Sequence, residues 1–257
     1  MKVVILAGGF GTRISEESHL RPKPMIEIGG MPLLWHIMKW YSSCGFNEFI
    51  ICAGYRQDCI KNWFSNYFIN TSDVTFDYTN GKEEVVIHRR NIEPWKVTVV
   101  DTGCGTQTGG RILRIRDYIG EEPFMVTYGD GVGDIDVKKL LDFHKKSGKT
   151  GTISTYRFGQ NKGVVQIGED GTVETFREKS RNDSSLINIG FMVFEPGVFD
   201  CIKGDDTVLE TGPLAYLAEK GDLSGYMHTG YWQCMDTLRE KQELEKLWKT
   251  GEAPWKC

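Results

Sequence analysis

Short apolar runs alternate with amphipathic stretches along the first half of the chain. Four runs rich in β-branched or other apolar residues have the pattern of strands buried on both faces of a sheet: residues 3–7, 49–53, 97–100 and 124–128. Between them, apolar residues recur every three or four positions, as at Ile60, Trp63 and Tyr67, which indicates helices. Strands that alternate with helices over residues 1–148 predict a mainly parallel α/β sheet with helices on both faces.

The pattern changes after Gly148. Residues 150–193 have the pattern of short strands joined by turns, which predicts an antiparallel β layer inserted over the sheet. A hairpin is expected around the Asn-Gly turn at residues 80–81. Thr237 and Glu240 can form the capping box of a last helix. No linker or repeat interrupts the chain, so we expect a single domain over residues 1–257, with parts at residues 1–148, 149–235 and 236–257.

Composition narrows the class of protein. The 31 basic and 35 acidic residues give a formal charge of −4, and the basic residues are dispersed, which argues against a nucleic-acid partner. No apolar run approaches the about 20 residues that span a bilayer, and the first apolar run is too short for a signal peptide. The seven cysteines include no C-x-x-C pair, which favours reduced thiols. We expect a soluble, cytoplasmic protein that binds no membrane.

The first predicted strand ends at a glycine-rich loop, residues 8–11, which we tested against two phosphate-binding motifs. The dinucleotide motif G-x-G-x-x-G starting at Gly9 needs a third glycine where Ile14 stands. The phosphate-loop motif ending at residues 148–150 needs its first glycine where Phe143 stands. Neither motif is present, which weakens the hypothesis of a nicotinamide-dependent oxidoreductase.

The segment that is present combines accessible backbone with positive charge. Gly8, Gly9 and Gly11 let a base and a triphosphate approach the chain and offer N–H donors to anionic oxygens. Arg13 follows the loop, and Lys23 stands between two prolines that stiffen the backbone. Such cations stabilise the charge that develops on a leaving pyrophosphate. Each feature also has a simpler explanation, since glycine loops are common and a Pro-Lys-Pro segment can be a rigid turn.

Together, the strings LAGGFGTR at residues 6–13 and RPKPM at residues 21–25 resemble the signature of the sugar-1-phosphate nucleotidylyltransferases. Later motifs in the same order extend the resemblance over nearly the whole chain: residues 129–131, 176–179, 188–190 and 230–237. Residues 9–32 are most similar to the members that use CTP and α-D-glucose 1-phosphate. The resemblance implies a Rossmann-like fold, CDP-glucose and pyrophosphate as products, Mg²⁺ as cofactor, a homo-oligomer and a role in bacterial O-antigen sugar biosynthesis.

The resemblance also implies roles for individual residues, with nucleotide bound by residues 1–148 and sugar by residues 149–235. It places the base and phosphates on Leu6, Ala7, Gly8, Gly9, Phe10, Gly11, Thr12, Arg13, Lys23, Cys104 and Gly109. It places the sugar hydroxyls on Glu178, the phosphate of the sugar on Lys179, further sugar contacts on Asn188 and Gly190, and Mg²⁺ on Asp130 and Asp236. Catalysis then depends on Arg13, Lys23 and Lys179, which align and neutralise the reactants; the attacking phosphate is already an anion and needs no general base.

Simpler explanations stay open for several of these residues. Asp130, before a glycine, has the pattern of a turn residue, and Asp236 that of a helix N-cap. Residues 177–179 resemble a solvent-exposed ion-pair run, and Asn188 an ordinary strand asparagine. Ser180 stands where the family commonly has proline, which can loosen this loop.

The base and the class of function also stay open. Residues 103–110 depart from the corresponding loops of thymidylyl and uridylyl enzymes, but backbone groups can recognise cytosine without a sequence signal. The choice of CTP therefore depends on the resemblance. The alternatives are a uridylyl- or thymidylyltransferase of the same fold and a catalytically silent binding subunit. Lys23, Asp130, Lys179 and Asp236 argue against the silent subunit, which has no chemical need for all four.

Overall fold

The computed structural model describes residues 1–14, 20–81, 83–89, 92–158, 164–167, 172–177 and 185–257 of the chain. Its strands are β1 (Lys2–Ala7), β2 (Glu27–Ile28), β3 (Met31–Pro32), β4 (Glu48–Ala53), β5 (Asp73–Asp77), β6 (Glu84–Arg89), β7 (Lys96–Asp101), β8 (Phe124–Tyr128), β9 (Gly131–Gly133), β10 (Gly151–Phe158), β11 (Val164–Ile167), β12 (Val173–Arg177), β13 (Ser185–Phe194), β14 (Leu223–His228) and β15 (Trp232–Cys234). Its α-helices are α1 (Leu33–Ser43), α2 (Gln57–Asn70), α3 (Thr108–Arg114), α4 (Arg116–Ile119), α5 (Val137–Ser147), α6 (Ala215–Glu219) and α7 (Leu238–Thr250). Short 3₁₀ segments cover Thr12–Ile14, Lys23–Met25, Thr79–Gly81 and Pro196–Cys201, and a π turn covers Glu210–Leu214.

A seven-stranded sheet in the order β14-β10-β13-β8-β1-β4-β7 forms the centre of the fold. The four strands predicted from apolar runs, β1, β4, β7 and β8, lie side by side and are parallel. Strand β13 runs antiparallel to both of its neighbours, β8 and β10. The prediction of a mainly parallel sheet flanked by helices is therefore confirmed.

The structure refines the prediction for residues 150–193. The two long strands of this segment, β10 and β13, extend the central sheet, and only β11 and β12 form a separate two-stranded sheet. The reason lies in the burial of β13. Phe191 and Val193 pack in one core while Met192 and Phe194 pack in the other, so this strand needs cover on both faces.

Apolar layers cover both faces of the sheet. Side chains alternate along β1, so that Val3 and Ile5 pack in one core while Val4 and Leu6 pack in the other. Helices α1 and α5 contribute to the first core, and α3, α4 and α6 contribute to the second. Because both faces of the sheet are covered, a ligand site can form where loops leave the strands, at the carboxyl edge of the parallel strands.

Local signals place several other elements correctly. The predicted hairpin forms between β5 and β6, and the predicted capping box begins α7, with Thr237 Oγ1 accepting from Glu240 N at 3.3 Å. Helix α3 begins at Thr108, inside the stretch predicted as a loop. None of the described helices combines the length and apolar character needed to cross a bilayer.

Three of the parallel strands end at glycines that have no room for a side chain. Gly8 follows β1, Gly54 follows β4 and Gly129 follows β8. A Cβ atom would lie 2.0 Å from Arg111 Nη1 at Gly8, 2.7 Å from the same nitrogen at Gly54 and 2.8 Å from Pro24 Cγ at Gly129. Glycine is required at these positions because neighbouring groups already fill the space of a side chain.

Arg111, on α3, ties three adjacent strand ends together. Its guanidinium donates to Gly8 O at 3.0 Å after β1 and to Ala53 O at 3.4 Å at the end of β4. After β7, it donates to Thr102 Oγ1 at 2.8 Å and to Gly103 O at 2.7 Å. Arg111 is only 4% exposed, and burial lowers the pKa of the guanidinium, which nevertheless keeps its charge. A buried cation must keep its hydrogen bonds, so these loops stay in a fixed arrangement around it.

We expect Gly8→Ala to lower the free energy of unfolding by about 1–3 kcal/mol, because the methyl group displaces the buried guanidinium of Arg111 from its acceptors. Urea-induced unfolding followed by circular dichroism measures this change. Gly9→Ala is the matched control, since no atom lies within 4 Å of its Cβ position. The control should lower the free energy by less than about 0.5 kcal/mol, and equal losses in both variants would contradict the packing role of Arg111.

Candidate active site

A cleft of about 330 Å³ opens at the carboxyl edge of the parallel strands. It is lined by residues 6–12 after β1, residues 23–24, residues 104–108 after β7, residues 128–130 at the end of β8, and Arg111. Ligands of open α/β sheets bind at this edge, in the crevice between the loops that leave the strands. The cleft is large enough to receive part of a nucleotide-sized ligand.

Lys23 forms the charged centre of the site. Its ammonium group donates to Asp130 Oδ2 at 2.9 Å and to Asp236 Oδ1, and the residue is 7% exposed. Burial alone would lower the pKa of Lys23, but attraction and hydrogen bonds from Asp130 and Asp236 outweigh burial and raise it above its ordinary value. The ammonium group therefore stays charged. With one lysine and two aspartates, the cluster has a formal charge of −1.

A short ladder brings these two aspartates together from distant parts of the chain. Strand β9 follows Asp130 and pairs with β15, which precedes Asp236. The pairing continues where Met235 N donates to Asp130 O at 2.8 Å. Asp236 N donates to the Glu240 carboxylate at 2.6 Å, so the capping box of α7 holds this aspartate as well.

The donor set suits a hard divalent cation that is already bound to phosphate. Cys234 lies nearby, with Sγ 3.8 Å from Asp236 Oδ2, but burial raises the pKa of its thiol to about 12 and keeps it protonated. In the part of the chain that the structure describes, no group of three His, Cys, Asp or Glu side chains is arranged to hold a metal alone. Mg²⁺ requires only one or two carboxylates when phosphate oxygens complete its shell. Asp130 and Asp236 fit that requirement.

Most of the predicted nucleotide-binding residues lie at the cleft. Those that line it are Leu6, Ala7, Gly8, Gly9, Phe10, Gly11, Thr12, Lys23 and Cys104, together with the predicted metal ligand Asp130. Asp236 is not part of the lining, but it forms an ion pair with Lys23, which is. Gly109 is not part of the lining, because its N–H is turned to Thr207 O at 2.9 Å and anchors the loop.

Three predicted residues cannot be placed in the same way. Glu178 and Lys179 lie outside the described residues, and so does the side chain of Arg13. The backbone of Arg13 belongs to the Thr12–Ile14 turn, directly after the glycine loop. Their roles stay predictions.

Asn188 and Gly190 lie on β13 and contact the cleft through Tyr128. Gly190 has a φ of +82°, and a Cβ atom there would lie 2.2 Å from the Tyr128 ring, so the ring packs directly on this glycine. Asn188 Oδ1 accepts from Gly190 N at 2.9 Å, which ties the Asn188 side chain to the glycine that the Tyr128 ring packs on. Tyr128 itself lines the cleft.

Sequence reasoning does not identify Arg111 or Tyr128 as parts of the site. A signal exists for Arg111, which precedes Ile115 by four residues and Ile119 by eight and so falls on their apolar stripe. A charged residue on a core-facing stripe points to a buried, hydrogen-bonded role. Tyr128 carries only the weaker signal of ending a buried strand.

Comparison with known proteins agrees with this geometry. Residues 2–237 match the nucleotidyl transferase family. Glucose-1-phosphate cytidylyltransferases of Salmonella typhi and Salmonella typhimurium are each 51% identical to this chain over 257 residues, covering 100% of it and 99% of theirs. The crystal structure of a UDP-glucose pyrophosphorylase complexed with UDP-glucose has a TM-score of 0.69 and covers 97% of this chain and 98% of that chain, at 17% identity. That last likeness concerns the fold alone.

The full-length relatives and the family match confirm the resemblance carried by residues 6–13 and 21–25. The same two segments supply the glycine loop and the central lysine of the cleft. The chain belongs to the nucleotidyl transferase family and, within it, to the glucose-1-phosphate cytidylyltransferases.

Proposed function

We propose that the protein transfers the cytidylyl group of CTP to α-D-glucose 1-phosphate, giving CDP-glucose and pyrophosphate. The observation that carries this proposal is the cluster of Lys23, Asp130 and Asp236 at a glycine-lined cleft. Nucleotidyl transfer needs cations for phosphate oxygens and carboxylates for a metal, and the cluster provides both. The choice of CTP and glucose 1-phosphate is supported by relatives that are 51% identical over their full length.

We propose that the nucleotide lies along the loop after β1. Gly8, Gly9, Gly11 and Thr12 border the cleft and offer backbone N–H groups with little steric hindrance to the phosphates. The base then lies toward residues 104–108, and the triphosphate toward the Lys23 cluster. All seven cysteines are free thiols, which supports a reducing, cytoplasmic location for this reaction.

Asp130 and Asp236 are the residues that would hold Mg²⁺. When bound, Mg²⁺ neutralises charge on the triphosphate and on the departing pyrophosphate. Lys23 holds the two carboxylates together against their mutual repulsion.

The reaction is an in-line displacement. A phosphate oxygen of glucose 1-phosphate forms a bond to the α-phosphorus of CTP, the bond from that phosphorus to the bridging oxygen breaks, and its electron pair leaves with pyrophosphate. The chain aligns the reactants and neutralises charge, with Lys23 and Arg13 on the triphosphate and Lys179 on the incoming phosphate. Glu178, Asn188 and Gly190 position the sugar.

Pyrophosphate release with glucose 1-phosphate and each of CTP, UTP, dTTP and GTP tests this proposal. We expect kcat/KM to be at least about 100-fold higher with CTP, because a site that hydrogen-bonds cytosine leaves polar groups unpaired with the other bases. Release should stop with EDTA and return with Mg²⁺. A preference for UTP or dTTP would replace the proposed donor, and nucleotide binding without any pyrophosphate release would indicate a silent binding subunit.

We expect Lys23→Ala to lower kcat about 100-fold or more, because the variant loses the cation that meets the developing phosphate charge. The free energy of unfolding should fall by only about 2 kcal/mol, because the carboxylates that lose their partner remain partly exposed to solvent. Steady-state kinetics and urea unfolding measure the two effects. Lys145→Ala, on the exposed side of α5, is the control and should match the wild type in both. Wild-type turnover by folded Lys23→Ala would remove Lys23 from the reaction.

We further propose that copies of the chain associate through the hairpin of β5 and β6. Phe76 on β5 and Val85 on β6 are 47% and 51% exposed on this separate two-stranded sheet, and Tyr78, directly after β5, is 72% exposed. An isolated hairpin is marginally stable in water, so a second copy that covers these side chains would stabilise it.

Sedimentation equilibrium should therefore give a mass that is a multiple of 29.2 kDa. Replacing Phe76 and Tyr78 by lysine should reduce that mass, because like charges and lost apolar area both oppose association. The same double replacement at Tyr118 and Tyr216, which are exposed elsewhere, is the control. A wild-type mass of one chain would contradict the proposal.

A further inference from the structure

Glu210 supports two walls of the cleft at once, although it does not line the cleft itself. Thr108 Oγ1 donates to Glu210 Oε2 at 2.8 Å, and the Tyr128 hydroxyl donates to Glu210 Oε1. Thr108 and Tyr128 both line the cleft, one at the end of the loop after β7 and the other at the end of β8. A single carboxylate therefore joins the start of α3 to the end of β8.

The first connection fixes the loop that borders the predicted base site. Leu209 N donates to Thr108 Oγ1 at 2.9 Å, so the hydroxyl is held from both sides. The segment just before Glu210 holds the same loop, because Gly109 N donates to Thr207 O at 2.9 Å and Gln107 N donates to Asp205 O at 2.9 Å. These hydrogen bonds fix the loop against residues 205–210.

The second connection fixes the side chain that contacts the predicted sugar residues. An ionised carboxylate only accepts hydrogen bonds, so the Tyr128 hydroxyl donates to Glu210, while the Tyr128 ring packs directly on Gly190. Gly190 N in turn donates to the Asn188 carbonyl at 2.9 Å, so the glycine in contact with the Tyr128 ring also holds the Asn188 side chain.

We propose that Glu210 is a positioning residue that couples the nucleotide side of the cleft to the sugar side, an inference that rests on the proposed function. Through Thr108 it sets the loop that meets the nucleotide, and through Tyr128, whose ring packs on Gly190, it sets the part of β13 that holds Asn188. Loss of the carboxylate leaves both hydroxyls without their common acceptor, so both substrates bind less well. The chemical step itself does not involve Glu210.

Steady-state kinetics on four variants test the coupling. We expect Glu210→Ala to raise the KM of both substrates about tenfold. Each substrate meets a side of the cleft that is held by a charge-assisted hydrogen bond to Glu210, and the variant loses both bonds. Tyr128→Phe should raise the KM of glucose 1-phosphate about tenfold with little change for CTP, and Thr108→Val should do the reverse. Glu210→Gln, which keeps the shape and one acceptor oxygen, should recover part of the loss. Glu219→Ala on α6 is the exposed control.

The double variant Glu210→Ala/Tyr128→Phe separates coupling from general damage. If both residues act through one hydrogen bond, the KM of the double variant for glucose 1-phosphate should equal the higher of the two single-variant KM values. Independent effects would instead multiply. Multiplying effects would overturn the proposal. A lower melting temperature in Glu210→Ala with both KM values unchanged would overturn it too, because a merely structural role predicts that result.

The wild-type assay distinguishes a failure of this inference from a failure of the proposed function. If the wild type prefers another nucleotide or sugar phosphate, the proposed reaction is wrong, and the same variants are assayed with the preferred pair. If it turns over none, calorimetric titration of CTP and of glucose 1-phosphate replaces the KM values. In every case we expect Thr108→Val to weaken binding of the nucleotide, Tyr128→Phe to weaken binding of the sugar phosphate, and Glu210→Ala to weaken both. Absence of this pattern contradicts the role of Glu210.

Discussion

The geometry of the cleft depends on one buried cation, the guanidinium of Arg111. It binds oxygens that follow β1, β4 and β7, three neighbouring strands of the parallel sheet. These acceptors are mainly backbone carbonyls, which cannot move without moving the strand ends. Leaving a buried guanidinium unsatisfied costs several kcal/mol, so the loops are held at the spacing that satisfies it. The same constraint explains why residues 8 and 54 are glycines, since the guanidinium occupies the space that their side chains would need.

Lys23 is also buried, but its ligands differ in kind. Arg111 is surrounded by neutral oxygens of the nearby backbone, whereas Lys23 binds two carboxylates that stand 107 and 213 residues away along the chain. Carboxylates can exchange an ammonium group for a metal or for reoriented hydrogen bonds, while backbone carbonyls cannot leave their strands. The first cation therefore suits a permanent structural role, and the second suits a site whose partners change as substrates bind.

Sequence patterns identify the local elements and miss the contacts between them. The strands β1, β4, β7 and β8 are predictable because each is a short apolar run that must be buried on both faces. The place of β13 in the central sheet is not predictable, because the choice of a pairing partner depends on distant segments. The same holds for Glu210, whose contact with Tyr128 spans 82 residues and leaves no periodic signal. Family resemblance supplied Lys23, Asp130 and Asp236 as one site; local spacing alone left each with a simpler explanation.

The supports behind the cleft bear on the proposal that the base lies toward residues 104–108. Cytosine differs from uracil in where it donates and where it accepts, and a loop that can shift by a fraction of an ångström can satisfy both. The loop over residues 104–108 has no such freedom, because Arg111 holds its start while residues 205–210 hold its end. Its carbonyl and N–H groups are thus presented in a fixed pattern. With the base placed beside this loop as proposed, backbone groups alone can discriminate between bases without a side-chain signature.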